Sequence, residues 1–248
     1  MFSDDTIRFY DAMYADKDYG AEASQVLDMV RRTCPSARTL LDVACGTGAH
    51  LSAFANAGMA VAGIDLMPGM VDAAVDRLRR SGSADGEVDV RVGDLRQFGF
   101  GRSFDVVTCL FSSIGYAGSV DGLRESIACM SRHVNPGGVV VVEPFYPPSM
   151  WLAGRIGHDV VELDDLTVVR LARSSREGDV AVIDFHHAAG TPEQISSWDE
   201  HHELLLADAD TYCDAVAAAG LVPEFDPDGF SFRGGGRGLV VGRSVPGQ

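Results

Sequence analysis

The stretch Leu40-Leu41-Asp42-Val43-Ala44-Cys45-Gly46-Thr47-Gly48-Ala49-His50 constrains the fold more than any other part of the chain. Leu40, Leu41 and Val43 form a short apolar run, as expected of a strand covered on both faces. Gly46 and Gly48 let the backbone turn sharply and let a ligand approach the main chain. A helix beginning at once after the turn offers free N–H groups at its start. Strand, glycine turn and helix together predict a nucleotide-like ligand at the carboxyl end of a parallel strand.

The details of the turn narrow that ligand. A dinucleotide fingerprint places a third glycine where Leu51 stands, and a phosphate loop requires a Gly-Lys-Ser/Thr run that is missing after Gly48. Asp42, at the strand end, would repel a phosphate and attract a cation. A positively charged, phosphate-free nucleoside fits best, and S-adenosylmethionine is one. Two further acids agree. Val61-Ala62-Gly63-Ile64-Asp65 reads as a second strand ending in an acid able to hold both ribose hydroxyls. Val90-Arg91-Val92-Gly93-Asp94-Leu95 reads as a third, with Asp94 placed for the adenine amine. Met67 and Met70 could pack on adenine or in the core.

The series D-V-A-C-G-T-G, G-I-D and G-D-L resembles the class I S-adenosylmethionine-dependent methyltransferases over residues 40 to 145. The resemblance implies an α/β fold: a doubly wound, seven-stranded, mostly parallel Rossmann-like sheet. Ala44, Cys45, Leu66, Leu95 and Leu110 are then expected to line the cofactor site with Tyr19, Asp42, Gly46, Gly48, Asp65, Met70 and Asp94. No metal is expected.

Composition excludes several alternatives. A formal charge of −16 argues against a nucleic-acid partner, which needs basic surface. An anionic substrate would need a local arginine cluster to overcome that field. No apolar run approaches the roughly 18 residues of a membrane span. The acidic N-terminus, Met1-Phe2-Ser3-Asp4-Asp5, lacks the pattern of a secretory leader. Five scattered cysteines without a C-x-x-C pair read as reduced thiols, so a cytoplasmic location is expected.

Read in order, residues 1–20 form an aromatic, partly helical segment, either packed over the core edge or acting as a lid with Tyr10, Tyr14 and Tyr19 facing the site. Helices are expected from Ala21 to Arg32, from His50 to Ala57, from Pro68 to about Arg80, over 121–134 and over 209–219. Ser81 to Glu87 reads as a polar loop. Phe104–Leu110 and Val139–Val142 read as strands four and five, and Leu221–Phe225 and Gly238–Val241 as the last two. Alternation of strands and helices predicts right-handed βαβ units. It breaks within 150–205, where Val168–Ser174 and Val180–Phe185 read as a hairpin and His201–Leu206 as another strand. The expected organisation is a lid at 1–20, a core at 21–149 and 206–248, and an inserted small antiparallel layer at 150–205 serving substrate binding and dimerisation. Glycines 234, 235 and 236 read as a flexible turn.

Methyl transfer requires orientation and exclusion of water more than a nucleophile. After strand four the chain carries Leu110-Phe111-Ser112-Ser113, not the Asn/Asp-Pro-Pro-Tyr-like box common in enzymes that methylate nucleic acid or protein nitrogen. F-S-S-I-G at 111–115, V-V-V-V-E-P at 139–144, S-R-E-G at 175–178 and G-R-G-L at 236–239 resemble one subfamily: the N-methyltransferases and N,N-dimethyltransferases of nucleoside-diphosphate amino sugars in antibiotic pathways. That resemblance implies a TDP-sugar substrate, with Tyr10 and Tyr19 lining the cleft and Arg237 holding the sugar nucleotide. Phe145 and Tyr146 stand where the subfamily commonly has two tryptophans, and Phe2 where it has a tyrosine. On the hairpin, strand alternation puts Arg170 and Arg176 on one face and Arg173 on the other. Arg170 and Arg176 with Arg237 could hold a pyrophosphate. Tyr10, Tyr14, Phe145 and Tyr146 complete the expected substrate wall. Tyr116 and Glu143 are the expected catalytic groups, orienting the amine or accepting its proton. The doublets His186-His187 and His201-His202 offer only one ligand per face, so they read as surface or dimer-layer histidines and not as a metal site. Methylation of another small metabolite, or a silent cofactor-binding scaffold, are the rival readings.

Overall fold

The computed structural model describes residues 2–82, 88–230 and 237–245, so the expected glycine turn at 234–236 and most of the 81–87 loop lie outside the described residues. Seven strands build the main sheet: β1 (Thr39–Val43), β2 (Ala60–Asp65), β3 (Asp89–Val92), β4 (Phe104–Cys109), β5 (Val134–Val142), β10 (Val222–Asp226) and β11 (Leu239–Arg243). Their order is β10-β11-β5-β4-β1-β2-β3. Only β11 runs antiparallel to its neighbours, β5 and β10. This is the expected doubly wound, mostly parallel arrangement.

The apolar runs of the central strands follow from cover on both faces. Leu41 and Val43 point into one core with Val107, Cys109, Val140 and Val142. Their alternates Leu40, Val106, Val139 and Val141 point into the other. Helices α5 (Val120–Ser131) and α6 (Ala209–Ala218) cover the first face through Leu123, Ile127, Met130, Tyr212 and Val216. On the second face lie α2 (Tyr19–Thr33), α3 (Ala49–Asn56) and α4 (Pro68–Arg80), through Val26, Leu27, Leu51, Phe54 and Leu78. Each such fully buried aliphatic or aromatic side chain contributes roughly 1.5–3 kcal/mol.

Helix starts follow their caps. Asp18 accepts from the Ala21 amide at 2.8 Å and starts α2 two residues earlier than apolar spacing alone predicts. Ser119 caps α5, and Asp208 caps α6. Helix α5 ends at Ser131, earlier than expected, because β5 begins at Val134. Asn135 to Gly138 form an irregularity within that strand: Phe104 pairs with Val134, but Val106 pairs with Val139. Strand β3 is shorter than expected and leaves Asp94 beyond its end.

The inserted layer is a four-stranded antiparallel sheet, β6 (Ile156–Leu163), β7 (Leu166–Glu177), β8 (Val180–Gly190) and β9 (Ile195–Leu205), in sequential order. It is larger than the expected hairpin plus strand, and β6 was not foreseen. Its inner face carries Val168, Arg170, Phe185, His187, Trp198, Glu200, His202 and Leu204. Helix α1 (Asp4–Met13), capped by Ser3, packs against that face through Phe9 and Met13, which contact Val168 and Ala189. Thus α1 lies between the inserted sheet and the carboxyl edge of the main sheet.

Candidate functional site

Strand-end residues of the main sheet form an inner cavity. Asp42, Ala44, Cys45, Gly46, Thr47, Ala49, His50, Leu110, Phe111 and Ser113 line it, closed by Tyr10 and Tyr19. Gly48 caps α3 in the left-handed region at φ 77°, and a Cβ there would meet the Ala74 Cβ at 2.9 Å. Gly46 is also left-handed, at φ 56°, but a Cβ there would meet nothing within 4 Å. Gly48 is therefore fixed by helix packing and backbone conformation, and Gly46 leaves its open side for a ligand.

Two carboxylates set the electrostatics. Asp42 is 2% exposed and accepts from the Thr108 hydroxyl at 2.7 Å. Burial pushes its carboxyl up to about 6. Asp65 accepts from the Gly46 amide at 2.8 Å and the Met67 amide at 2.9 Å, fastening β2 to the glycine turn. Burial raises its pKa too, against those hydrogen bonds. A cavity lined by Asp42 and an open glycine, with Asp65 held just behind the glycine turn and no Lys or Arg among its lining residues, fits a cationic nucleoside with a free diol. The donor set therefore fits S-adenosylmethionine.

Below the inner cavity, Glu22 joins two basic groups. It pairs with Lys17 through one oxygen and meets His50 Nε2 at 2.8 Å through the other. Helix α1 is latched to the same region: Thr47 donates to Asp11 at 2.7 Å, and Arg77 pairs with Asp11 at 2.5 Å.

An outer cavity of about 200 Å³ shares Tyr10, Phe111 and Ser113 with the inner one. Its wall includes Phe2, Thr6, Tyr14, Tyr116, Phe145, Arg170, Phe185, His187, Glu200, His202 and Arg237. Phe111 and Ser112 at its floor are both left-handed, at φ 56°. Non-glycine residues hold that conformation only when their surroundings enforce it. Here Glu143 accepts from the Phe111 amide at 2.6 Å, and Ser112 donates to the Pro144 carbonyl at 2.8 Å.

Most expected residues converge, and some do not. Tyr19, Asp42, Ala44, Cys45, Gly46 and Leu110 line the inner cavity; Tyr10, Tyr14, Tyr116, Phe145, Arg170 and Arg237 line the outer one. Asp65 sits behind the glycine turn, with Leu66 exposed beside it and Met70 buried in α4. Asp94 is engaged by Arg96, at 3.0 and 2.6 Å, and Leu95 packs against the core. Arg176 is a correction: parity puts it on the face of Arg170, but six residues of strand carry it about 20 Å away. There it donates to the Gly178 and Pro148 carbonyls and pairs with Asp179. Glu143 is a second correction. It borders neither cavity, and its oxygens are committed to Phe111 and, at 3.4 Å, to Arg237. Tyr146 lies under Arg237, whose guanidinium is 4.7 Å from the ring centroid. The histidine doublets split as alternation requires: His187 and His202 are buried, His186 and His201 exposed. Among the described residues no cluster of metal ligands occurs. Thr6, Thr47, His50, Glu200 and His202 are site residues that sequence reasoning missed.

The sheet order and the glycine turn with its strand-end acids define an S-adenosylmethionine-dependent methyltransferase, and residues 40–138 match the methyltransferase domain model. A dTDP-3-amino-3,4,6-trideoxy-alpha-D-glucopyranose N,N-dimethyltransferase of Streptomyces venezuelae is 38% identical, over 98% of this chain and 99% of that one. A dTDP-4-amino-2,3,4,6-tetradeoxy-D-glucose N,N-dimethyltransferase of Saccharopolyspora spinosa is 36% identical over 98% and 94%. The structure of S-adenosylmethionine-bound CalS10, an amino pentose methyltransferase from Micromonospora echinaspora, superposes with a TM-score of 0.82 at 34% identity, covering 99% and 98%. The chain belongs to the family of amino-sugar N-methyltransferases.

Asp42 generates a test of the site's cost to the fold. Its folded pKa of about 6 exceeds the ordinary 3.8, so the folded state retains a proton that the unfolded state has lost. Stability therefore falls as pH rises from about 4 to 6, by up to about 3 kcal/mol. Asp42→Asn, neutral throughout, is expected to melt higher than the parent at about pH 8. That advantage should shrink steadily toward about pH 4. A gap independent of pH in thermal unfolding would contradict the buried-charge account.

Proposed function

We propose that the chain transfers methyl groups from S-adenosylmethionine to the amine of a dTDP-linked amino deoxysugar, and does so twice to give the dimethylamine. The observation that carries this reading is the pair of cavities meeting at Tyr10, Phe111 and Ser113, acidic on the cofactor side and bordered by Arg170 and Arg237 on the other. Full-length identity to dTDP-amino-sugar N,N-dimethyltransferases supports it. Those relatives differ in the carbon that bears the nitrogen, so the aromatic wall of the outer cavity, with Phe2, Phe111 and Phe145, is where this chain's own sugar is selected.

The bound cofactor supplies an electrophilic methyl on a sulfonium. The residues hold the rest. Asp42 and Asp65 give the cationic nucleoside its counter-charges, and Tyr10 and Tyr19 exclude water above it. Arg237 takes the diphosphate, with Arg170 as a second cation, and Tyr116 orients the amine. Glu143 positions: it holds the left-handed turn at Phe111 and the guanidinium of Arg237. We assign the reaction to the cytoplasm, a reducing compartment in which five free thiols are stable.

Incubation with S-adenosylmethionine and a panel of dTDP amino sugars should give mass gains of one and then two methyl groups on one of them. Equal turnover of the same sugar freed of its nucleotide would instead favour the small-metabolite reading.

Arg237→Lys keeps a cation beside Glu143 but loses the planar fork. It should raise KM for the nucleotide sugar roughly tenfold while cofactor affinity by calorimetry stays constant. An unchanged KM would remove Arg237 from diphosphate binding.

We also propose a homodimer through the outer face of the inserted sheet. That face exposes Ile156, Val160 and Leu171, at 76%, 54% and 47%, beside the edge strand β6. Apolar side chains clustered on a sheet face mark a binding surface. Light scattering at micromolar concentration should give twice the chain mass, and Leu171→Lys should halve it; a monomeric parent would refute the interface.

A further inference from the structure

Strand β9 brings an acid and an imidazole to the outer cavity that none of the expected roles uses. Glu200 and His202 are 6% and 2% exposed. The Tyr116 hydroxyl lies 2.8 Å from His202 Nδ1. His202 Nε2 lies 3.3 Å from Glu200 Oε2. The other Glu200 oxygen accepts from the Ser3 amide at 2.8 Å and the Thr6 hydroxyl at 2.5 Å. The Phe2 and Phe185 rings fix the imidazole, with centroids 5.0 and 5.4 Å away. We propose that Tyr116, His202 and Glu200 form a proton relay that deprotonates the substrate ammonium, and that docking of α1 completes it.

This inference rests on the N-methylation reading. A sugar amine in water is mostly an ammonium ion at neutral pH, with no lone pair to attack the methyl group. Each methylation also leaves an ammonium that must lose a proton before the next. Burial pushes the Tyr116 phenol well above its ordinary range, so it does not act as a free phenolate. It can pass a proton on. The phenol oxygen takes the ammonium proton while the phenol O–H gives its own to His202 Nδ1. One N–H and one O–H bond break, one O–H and one N–H bond form, and the positive charge moves from the substrate to the imidazole. The imidazolium then donates a hydrogen bond through Nε2 to Glu200, which stays ionised and balances the charge. The extra proton passes to solvent when the cleft opens between transfers, restoring neutral His202.

Glu200 suits that end of the chain. Burial disfavours its ionised form, but donors from His202, Thr6 and Ser3 prevail and hold its pKa below the usual carboxylate range. Two of those three donors belong to α1 or its cap. With α1 displaced, Glu200 loses its fixed orientation toward His202. Other titratable groups face this region: Arg170 on β7, His187 on β8, Tyr10 and Tyr14 on α1, Arg237 ahead of β11, and Asp65 at the end of β2. Burial holds His187 at about 4, and among the described residues its Nδ1 has no partner, so it does not substitute for His202.

The test uses the full chain with S-adenosylmethionine and the dTDP amino sugar it methylates, comparing kcat against pH for the parent, Tyr116→Phe, His202→Asn and Glu200→Gln. Tyr116→Phe removes one oxygen and keeps the ring. Each variant should lower kcat near neutrality roughly tenfold or more. The deficit should close toward about pH 9, where more of the amine arrives neutral. The Tyr116→Phe/His202→Asn pair should be no worse than its worse member. Calorimetric affinity for S-adenosylmethionine should not move, which separates the relay from a loss of folding. Profiles that superimpose on the parent's, or a loss equal at every pH, overturn the relay while leaving the N-methylation reading standing. A parent inactive on every nucleotide amino sugar overturns both.

Discussion

Central strands with no exposed face can place charged side chains only at their ends. Val139 to Val142 on β5 and Leu40, Leu41 and Val43 on β1 are at most 1% exposed, and each faces one core or the other. A carboxylate inside either run would be stranded without water or a partner. The polar chemistry is therefore pushed to the carboxyl edge, where Asp65 ends β2 and Glu143 follows β5. Asp42 shows the limit of that rule. It lies one residue inside β1, pairs with Thr108, and is neutralised in part by its own raised pKa. A bound cation would relieve that cost, which couples cofactor binding to the stability of the sheet centre.

The same edge is roofed by a segment that belongs to neither sheet. Helix α1 is tied at its start to the inserted layer through Ser3, Thr6 and Glu200, and along its length to the glycine turn through Asp11, Thr47 and Arg77. Tyr14 adds a third tie, accepting from Arg170 at 3.0 Å. These contacts are polar and individually modest, but they join three bodies across one cleft. On the proposed reading this segment excludes water from the cleft, and displacing it would break these ties together with the small apolar cluster of Phe9, Met13, Val168 and Ala189.

The frame was legible in the sequence because its signals are local. Strand, glycine turn and acid lie within a few residues of each other at Asp42, Gly46 and Gly48, and again at Asp65. What was not legible depends on pairing across long separations. Glu200 meets Ser3 across 197 positions, and Tyr116 meets His202 across 86. Strand β6 has little alternation of its own and exists through its pairing with β7. Arg176 shows the converse failure: parity gave its face correctly, but position along the strand decides what a side chain reaches. His202 could have been found. Alternation through β9 puts Trp198, Glu200, His202 and Leu204 on one face, an apolar stripe interrupted by an acid and an imidazole.

Charge placement around Arg237 links the two halves of the cleft. Arg170 is already neutralised by Asp159, at 2.5 Å. Arg237 makes a looser contact with Glu143, at 3.4 Å, and stacks on Tyr146; among the described residues no acceptor faces its Nε. Burial raises the Glu143 pKa, against the pull of Arg237 and Lys17, so the pair is weakly neutralised. On the proposed reading an incoming diphosphate competes with Glu143 for this guanidinium. Glu143 also holds the Phe111 amide, and Phe111 borders both cavities. A shift of Glu143 toward or away from Arg237 is therefore felt at the left-handed turn where the two cavities meet. On that reading, this single carboxylate, held between the Phe111 amide and Arg237, connects the anion-binding end of the cleft to the reacting centre.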